Sequence, residues 1–281
     1  MAWWGDKSLD QITGSSCRAY VRHRGVAQAA RRELEDLRAA INHHRKEGLC
    51  REVVEVLLPE KSPPREKWLT RSEAARLILT AWRYREHQNF RATDRSTRQH
   101  VARFILVGLY TGTRAGAICS ASFKPEDGRG WIDTERGVFY RRPAGQRETK
   151  KRRPPIRLPD RLLAHLRRWE AKGLGSPVEW NGHPVKDVDK AFRATAKAAG
   201  IDASPHALRH TAVTWAMQNR ADLYEAAGYF GMTIEVLQNT YGHHHPDHQS
   251  SVGKAVTGGQ RADKKGGTKR EHPSSNVIKI A

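Results

Sequence analysis

At 281 residues the chain has room for one sizeable hydrophobic core or two modest ones, and its 50 Lys+Arg against 30 Asp+Glu leave a formal charge of +20, which suits a polyanionic partner such as nucleic acid. Three widely separated cysteines, Cys17, Cys50 and Cys119, form no C-x-x-C pair, so neither a disulfide framework nor a thiolate zinc site is indicated and a reducing cytoplasm is expected. The opening MAWWGDKSLD lacks an apolar core of signal-peptide length, and the longest apolar run, FILVGLY at 104–110, is too short to span a bilayer, so no membrane partner is expected.

Residues 15–48 carry a helical pattern, with Ala30, Leu34, Leu37 and Ile41 at helical spacing, charges between them and Gly48 as a stop. This predicts a small all-α domain over 1–61. Three prolines among the charges of PEKSPPREKW, 59–68, predict a linker at 62–69. A second domain is expected over 70–253. It opens with TRSEAARLILTAWRYRE, where Thr70 or Ser72 precedes an acidic residue and an apolar run, the pattern of a capping box. RQHVARFILVGLYTGTR reads as a largely buried helix ending at Gly112. The period then changes: GWIDTERGVFYRRP and PPIRLP are short runs rich in β-formers, joined through the polar AGQRETKKRR as a hairpin or small meander. Helical segments resume at LLAHLRRWEAKG and VDKAFRATAKAAG and continue beyond. After Gly253 the composition predicts a basic flexible tail over 254–281, in which NVIKIA is able to add a short strand. The fold class expected is mainly α with a small antiparallel β-sheet, an α+β arrangement.

Chemistry-bearing residues cluster late in the chain. ASPHALRHTAVTWAM starts with Ser204 as an N-cap and Pro205 at the first helical position, which puts His206 and Arg209 near one another on one helix surface. Leu208, Ala212, Trp215 and Ala216 form a neighbouring apolar stripe, placing the basic pair at the rim of the core. Arg114 follows the helix-ending TGT turn, where a guanidinium is free to point into a cleft. TIEVLQNTYG reads as a short helix with Tyr241 in its last turn and Gly242 as its stop, a terminus that can swing. The stretch VLQNTYGHHHPDH admits two readings: a metal held by His243, His244, His245 and His248, or chemistry at Tyr241. Pro246 interrupts any helix that would converge those imidazoles, and no carboxylate or cysteine stands at ligand spacing, so no metal and no other cofactor is expected.

The order of these motifs resembles the tyrosine recombinase (phage integrase) family. Its catalytic domain carries an Arg in a TG-x-R turn, a hairpin Lys, H-x-x-R, and a Tyr ten residues after the Gly of an L-G-H motif. The matching stretches here are TGTR, TKKRRPPIRLP, HALR and FGMTIEVLQNTY, spanning about residues 70–250. The resemblance implies a site-specific recombinase that cuts and rejoins double-stranded DNA recombination sites through a 3′-phosphotyrosyl bond. It further implies Arg114, Lys151, His206, Arg209 and Tyr241 as catalytic residues, with Lys150 the alternative hairpin lysine. Lys150, Arg152, Arg153 and His243 are the implied DNA contacts, a core-DNA-binding domain the implied N-terminal unit, and a homotetramer on DNA the implied working form. Ala117 stands where the family often has an acidic residue and Met232 where it has a second His or Trp. Those departures leave a catalytically silent DNA-binding relative as the alternative, and a relaxing topoisomerase would use the same phosphotyrosine chemistry.

Overall fold

The computed structural model describes residues 3–62, 67–89, 91–147, 152–246, 248, 249, 252 and 256, and the chain divides into two compact units, Met1–Glu66 and Lys67–Ala281. The division falls inside the segment read as a linker, of which residues 63–66 lie outside the described residues. The expected tail lies outside them too, apart from Val256.

In the first unit a 3₁₀ turn, Leu9–Gln11, precedes α1 (Gly14–Arg24) and α2 (Ala27–Lys46). The helical pattern read over 15–48 is carried by these two helices. Gly25, at φ 71°, takes the left-handed conformation that ends α1, a geometry that costs an L-residue about 1–2 kcal/mol and glycine almost nothing. Thr13 opens α1 with a capping box that also uses Ser16. Ala30, Leu34 and Ile41 turn inward as their spacing predicts, against Trp4, Ile12, Cys17, Tyr20 and Val56, with Leu37 partly buried beside them. Tyr20 and Arg24 of α1 both bond Glu33 of α2, which clasps the pair together across its open edge.

The second unit is built around α4 (Gln99–Thr111), whose residues from His100 to Thr111 are buried on nearly every side. Before it comes α3 (Arg71–Arg83), opened by Thr70 and Glu73 in a reciprocal capping box, which decides between the two expected caps. Against α4 pack α6 (Asp160–Ala171) and α8 (Pro205–Gln218), and α7 (Asp189–Ala198) packs against α3 and α8. The sheet is β3 (Trp131–Asp133), β4 (Val138–Tyr140) and β5 (Ile156–Arg157), antiparallel in the order β3-β4-β5. Phe139 pairs with Ile132 on one side and Ile156 on the other, so all three point to the core face. Two minimal hairpins were not expected: β1 (His87–Gln88) with β2 (Arg91–Ala92), and β6 (Glu179–Trp180) with β7 (His183–Pro184). Two residues per strand are too few for alternation to register in sequence. The architecture is mainly α with small antiparallel sheets.

Helix α8 departs from its expected one-sided burial. Ala207, Leu208, Arg209, Thr211, Ala212, Val213, Thr214 and Met217 are all buried, because the helix runs between two clusters. Leu208 joins the main core, while Ala212, Val213 and Met217 join a second cluster with α9 (Leu223–Phe230) and α10 (Ile234–Tyr241). Arg209 thus lies inside the protein rather than at the rim. Farther along α8 the Trp215 indole N–H donates to Leu69 O at 3.1 Å and Leu69 N–H donates to Thr211 Oγ1 at 2.9 Å, tying α8 to the chain entering α3.

Candidate active site

Each site residue is set by a helix boundary or a crossing of loops. Arg114 is the N-cap of the short α5 (Ala115–Cys119), and its Nη1 donates to the Arg152 carbonyl oxygen at 2.9 Å. His206 is the second residue of α8, whose start is fixed by Pro205 and an extended Ser204; the Ser204 side chain makes no capping bond, contrary to expectation, and its carbonyl accepts from Ala207 N–H at 2.9 Å instead. Arg209, one turn later, donates from Nη1 to Gly112 O at 2.8 Å and from Nη2 to Phe230 O at 2.7 Å. It therefore joins the ends of α4 and α9.

Tyr241 ends α10 but is not free to swing in this conformation. The residue is 6% exposed, and its phenol oxygen lies 2.7 Å from His210 Nδ1. Gly242 is not the expected left-handed stop. At φ −55°, ψ −37° it carries the chain onward into a 3₁₀ turn, Gly242–His244, that packs back on α8. His243 is exposed on that turn with its ring centroid 4.0 Å from that of His244, which meets the Trp68 ring edge-on at 5.9 Å. Arg152 is exposed and Arg153 half-buried beside Arg114. Lys150 and Lys151 lie outside the described residues.

One glycine makes the crossing possible. Gly231 closes α9 at φ 60°, and a Cβ there would stand 2.7 Å from Pro154 Cδ and 2.9 Å from Arg152 O. The strand of chain that receives the Arg114 hydrogen bond can approach α9 only because that side chain is missing.

A third arginine, unanticipated, completes the framework. Arg141, just after β4 and 3% exposed, donates from Nε to Pro154 O at 2.8 Å and from Nη2 to Tyr229 O at 2.7 Å. It thereby holds the sheet, the loop before β5 and α9 in one relation. Among the described residues no carboxylate forms an ion pair with Arg114, Arg141 or Arg209; all three donate to carbonyl groups, and Arg141 also to the Thr113 hydroxyl, which satisfies hydrogen bonding without neutralising charge. Burial, then the charge of Arg114, brings the Arg209 pKa down to about 10, opposed by Tyr241. Burial and the charges of Arg209 and Arg114 likewise bring Arg141 to about 10. Both remain cations at neutral pH.

The neighbouring groups respond to this positive field. His206 exposes part of its ring, yet removal of water from the remainder, then Arg209 and Arg114, holds its pKa below the ordinary 6.5. The Tyr241 phenol is pushed above its ordinary 10.0 by burial, with Arg209 pulling the other way. The structure thus gathers Arg114, His206, Arg209 and Tyr241 around one end of α8, adds His210 and Arg141 that sequence reading missed, and places His243 on the turn alongside. Ala117 is buried in α5, and Met232 packs partly buried against the α8–α10 cluster.

The sequence matches the phage integrase family over residues 67–248. This chain belongs to that family. The integrase is accordingly a tyrosine-type site-specific DNA recombinase. A comparison with curated proteins gives no match. Among solved structures, the integrase resembles the Tn1549 transposon integrase in complex with a circular intermediate DNA, with a TM-score of 0.65 and 16% identity over 90% of this chain and 90% of that one. A lambda integrase dimer bound to a COC′ core site gives a TM-score of 0.58 at 16% identity, covering 84% of this chain and 80% of that one. XerH recombinase in a post-cleavage complex with a palindromic difH substrate gives 0.58 at 13% identity, covering 90% and 73%. At such identities the likeness is one of fold. No helix among the described residues is long and apolar enough to cross a membrane.

Proposed function

We propose that the integrase breaks a DNA strand by attack of the Tyr241 phenol oxygen on a phosphodiester, with Arg114 and Arg209 binding the phosphate. The observation that carries this reading is the pairing of one buried phenol with two guanidinium groups whose charges no carboxylate among the described residues offsets. In-line attack puts extra negative charge on the non-bridging oxygens, and fixed cations in a water-poor site stabilise that charge without a metal. The new O–P bond forms as the bond to the 5′-oxygen breaks, giving a 3′-phosphotyrosyl strand and a 5′-hydroxyl. Lys151, or Lys150 in its place, supplies the proton to the departing oxygen. Resealing reverses the steps with another strand's 5′-hydroxyl, so the bond energy is conserved and no nucleotide is consumed.

His206, neutral at pH 7 in the field of the arginines, faces the same phosphate as a hydrogen-bond donor or proton acceptor. Arg152, Arg153 and His243 contact the flanking backbone. The first unit, with basic residues in the last turns of both α1 and α2, binds the core of the recombination site from cytoplasmic DNA. Exchange between two duplexes requires four strands to be cut, which calls for four copies on DNA. A nicked suicide substrate bearing the target site tests the reading: a covalent protein–DNA adduct is expected, with Tyr241→Phe abolishing it while DNA binding persists. Binding with no adduct from the unsubstituted protein would instead make it a silent occupant of its sites.

A further inference from the structure

A phenol held above its ordinary pKa by burial is protonated at neutral pH and a poor nucleophile until something removes its proton. The group already in place is not His206. The Tyr241 oxygen lies 2.7 Å from His210 Nδ1, within the range of a direct proton transfer, and the two rings are tilted at 39° with centroids 5.7 Å apart. His206, one turn earlier on the same face of α8, sets its ring edge-on to His210 at 4.7 Å and 87°. The 3₁₀ turn that follows Tyr241 packs on α8.

Resting on the phosphotyrosine reading above, we propose that His210 accepts the Tyr241 proton during strand cleavage and returns it on resealing. In this role the imidazole starts neutral, with its proton on Nε2 and its Nδ1 lone pair toward the phenol. As the Tyr241 oxygen bonds to phosphorus, its proton passes to Nδ1, and the 5′-oxygen leaves with a proton from the hairpin lysine. In resealing, the incoming 5′-hydroxyl gives its proton back to that lysine and the departing Tyr241 oxygen recovers its own from His210. Arg209 precedes His210 on α8, Arg114 reaches the site from α5, and His206, His243 and His244 stand on α8 and the 3₁₀ turn. The bound phosphate supplies the negative charge that sustains the imidazolium once the proton has passed.

Single-turnover cleavage of the nicked substrate tests the assignment, with His210→Ala and His210→Gln each made in two backgrounds: natural Tyr241, and Tyr241 replaced by a ring-fluorinated tyrosine whose phenol ionises at lower pH. With natural Tyr241 both variants should cleave about 100-fold slower or worse, the usual range for loss of a proton acceptor. With the fluorinated residue the loss should shrink to about tenfold or less, because a more acidic phenol depends less on a base. Far-UV circular dichroism and binding of the intact site confirm that the variants fold, and His210→Gln carries the test alone if the alanine variant does not. A cleavage rate near wild type in the folded variant, rescue by Gln, or an equal loss in both tyrosine backgrounds overturns the proposal. Tyr241→Phe separates the two levels: an adduct that survives it removes the phosphotyrosine reading itself, whereas loss of the adduct with undiminished His210 variants removes only the base.

Discussion

Arg209 donates to the carbonyl of Gly112 at 2.8 Å from the second turn of a buried helix, so a side chain expected to serve DNA also fastens the end of α4. Its second bond, to Phe230 O at 2.7 Å, does the same for α9. Binding and folding are therefore coupled at this position. Arg209→Lys cannot reach both carbonyls with a single ammonium, and one charge-assisted bond is worth about 1.5–3 kcal/mol. Urea denaturation should show a loss of that order, and single-turnover cleavage should fall by about 100-fold or more. A fully stable but inactive variant would show that the carbonyl bonds contribute nothing to the fold.

Arg114 and Arg141 should divide those two effects. Arg114 is half-buried with one carbonyl bond, whereas Arg141 is enclosed and spans Pro154 and Tyr229. We expect Arg114→Lys to keep its unfolding midpoint within about 0.5 kcal/mol of stability and to lose about 100-fold in cleavage. Arg141→Lys should lose about 1–3 kcal/mol, with cleavage reduced in proportion to the misplaced loop. The same two measurements, denaturation and adduct formation, read both variants.

Gly231 and Gly228 form an internal control on one helix. Gly231→Ala forces a Cβ to within 2.9 Å of Arg152 O at a φ of 60°, so the loop that meets Arg114 has to move. The expected cost is about 1–3 kcal/mol with a marked fall in cleavage. At Gly228, inside α9, an added Cβ meets nothing within 4 Å. Gly228→Ala should therefore be neutral or stabilising by up to about 1 kcal/mol. If both substitutions behave alike, close approach at Gly231 is not what matters.

The contrast between these residues shows where sequence reading stops. His206 and Arg209 were legible because Ser204-Pro205 announces a helix start, and Arg114 because a glycine turn precedes it. The family order then supplied Tyr241. Arg141 was not legible, since it sits in a run of cations from 141 to 153 in which nothing marks the one that turns inward. His210 left a partial signal, four positions after His206 and so on the same helical face, but its meeting with Tyr241 depends on how α8, α10 and the 3₁₀ turn pack. The buried character of α8 was hidden for the same reason. A helix enclosed on several sides has no stripe to read, and its neighbours come from opposite ends of the domain. Among the unexpected hairpins only Trp180-Asn181-Gly182-His183 carried a turn signal, the Asn-Gly pair at positive φ.

Acid should weaken the fold through two histidines remote from each other. His100 on α4 is 7% exposed, stacks near Trp180 and has a buried Nδ1 without a hydrogen-bond partner; burial first, and then Arg103, holds its pKa below 6.5. His206 is shifted in the same direction. For a group whose folded pKa is depressed, the unfolded chain binds more protons between the folded value and about 6.5, so stability rises with pH across that window and is lost as pH falls through it. Urea midpoints should therefore drop between pH 7.5 and 5 by more than the loss of carboxylate interactions alone produces, since Glu33 and Glu73 titrate below their ordinary 4.5. His100→Gln should remove most of the slope. His206→Gln should flatten it less, because that ring is already partly solvated. An unchanged slope in the His100 variant would mean that the buried imidazole is protonated at little cost.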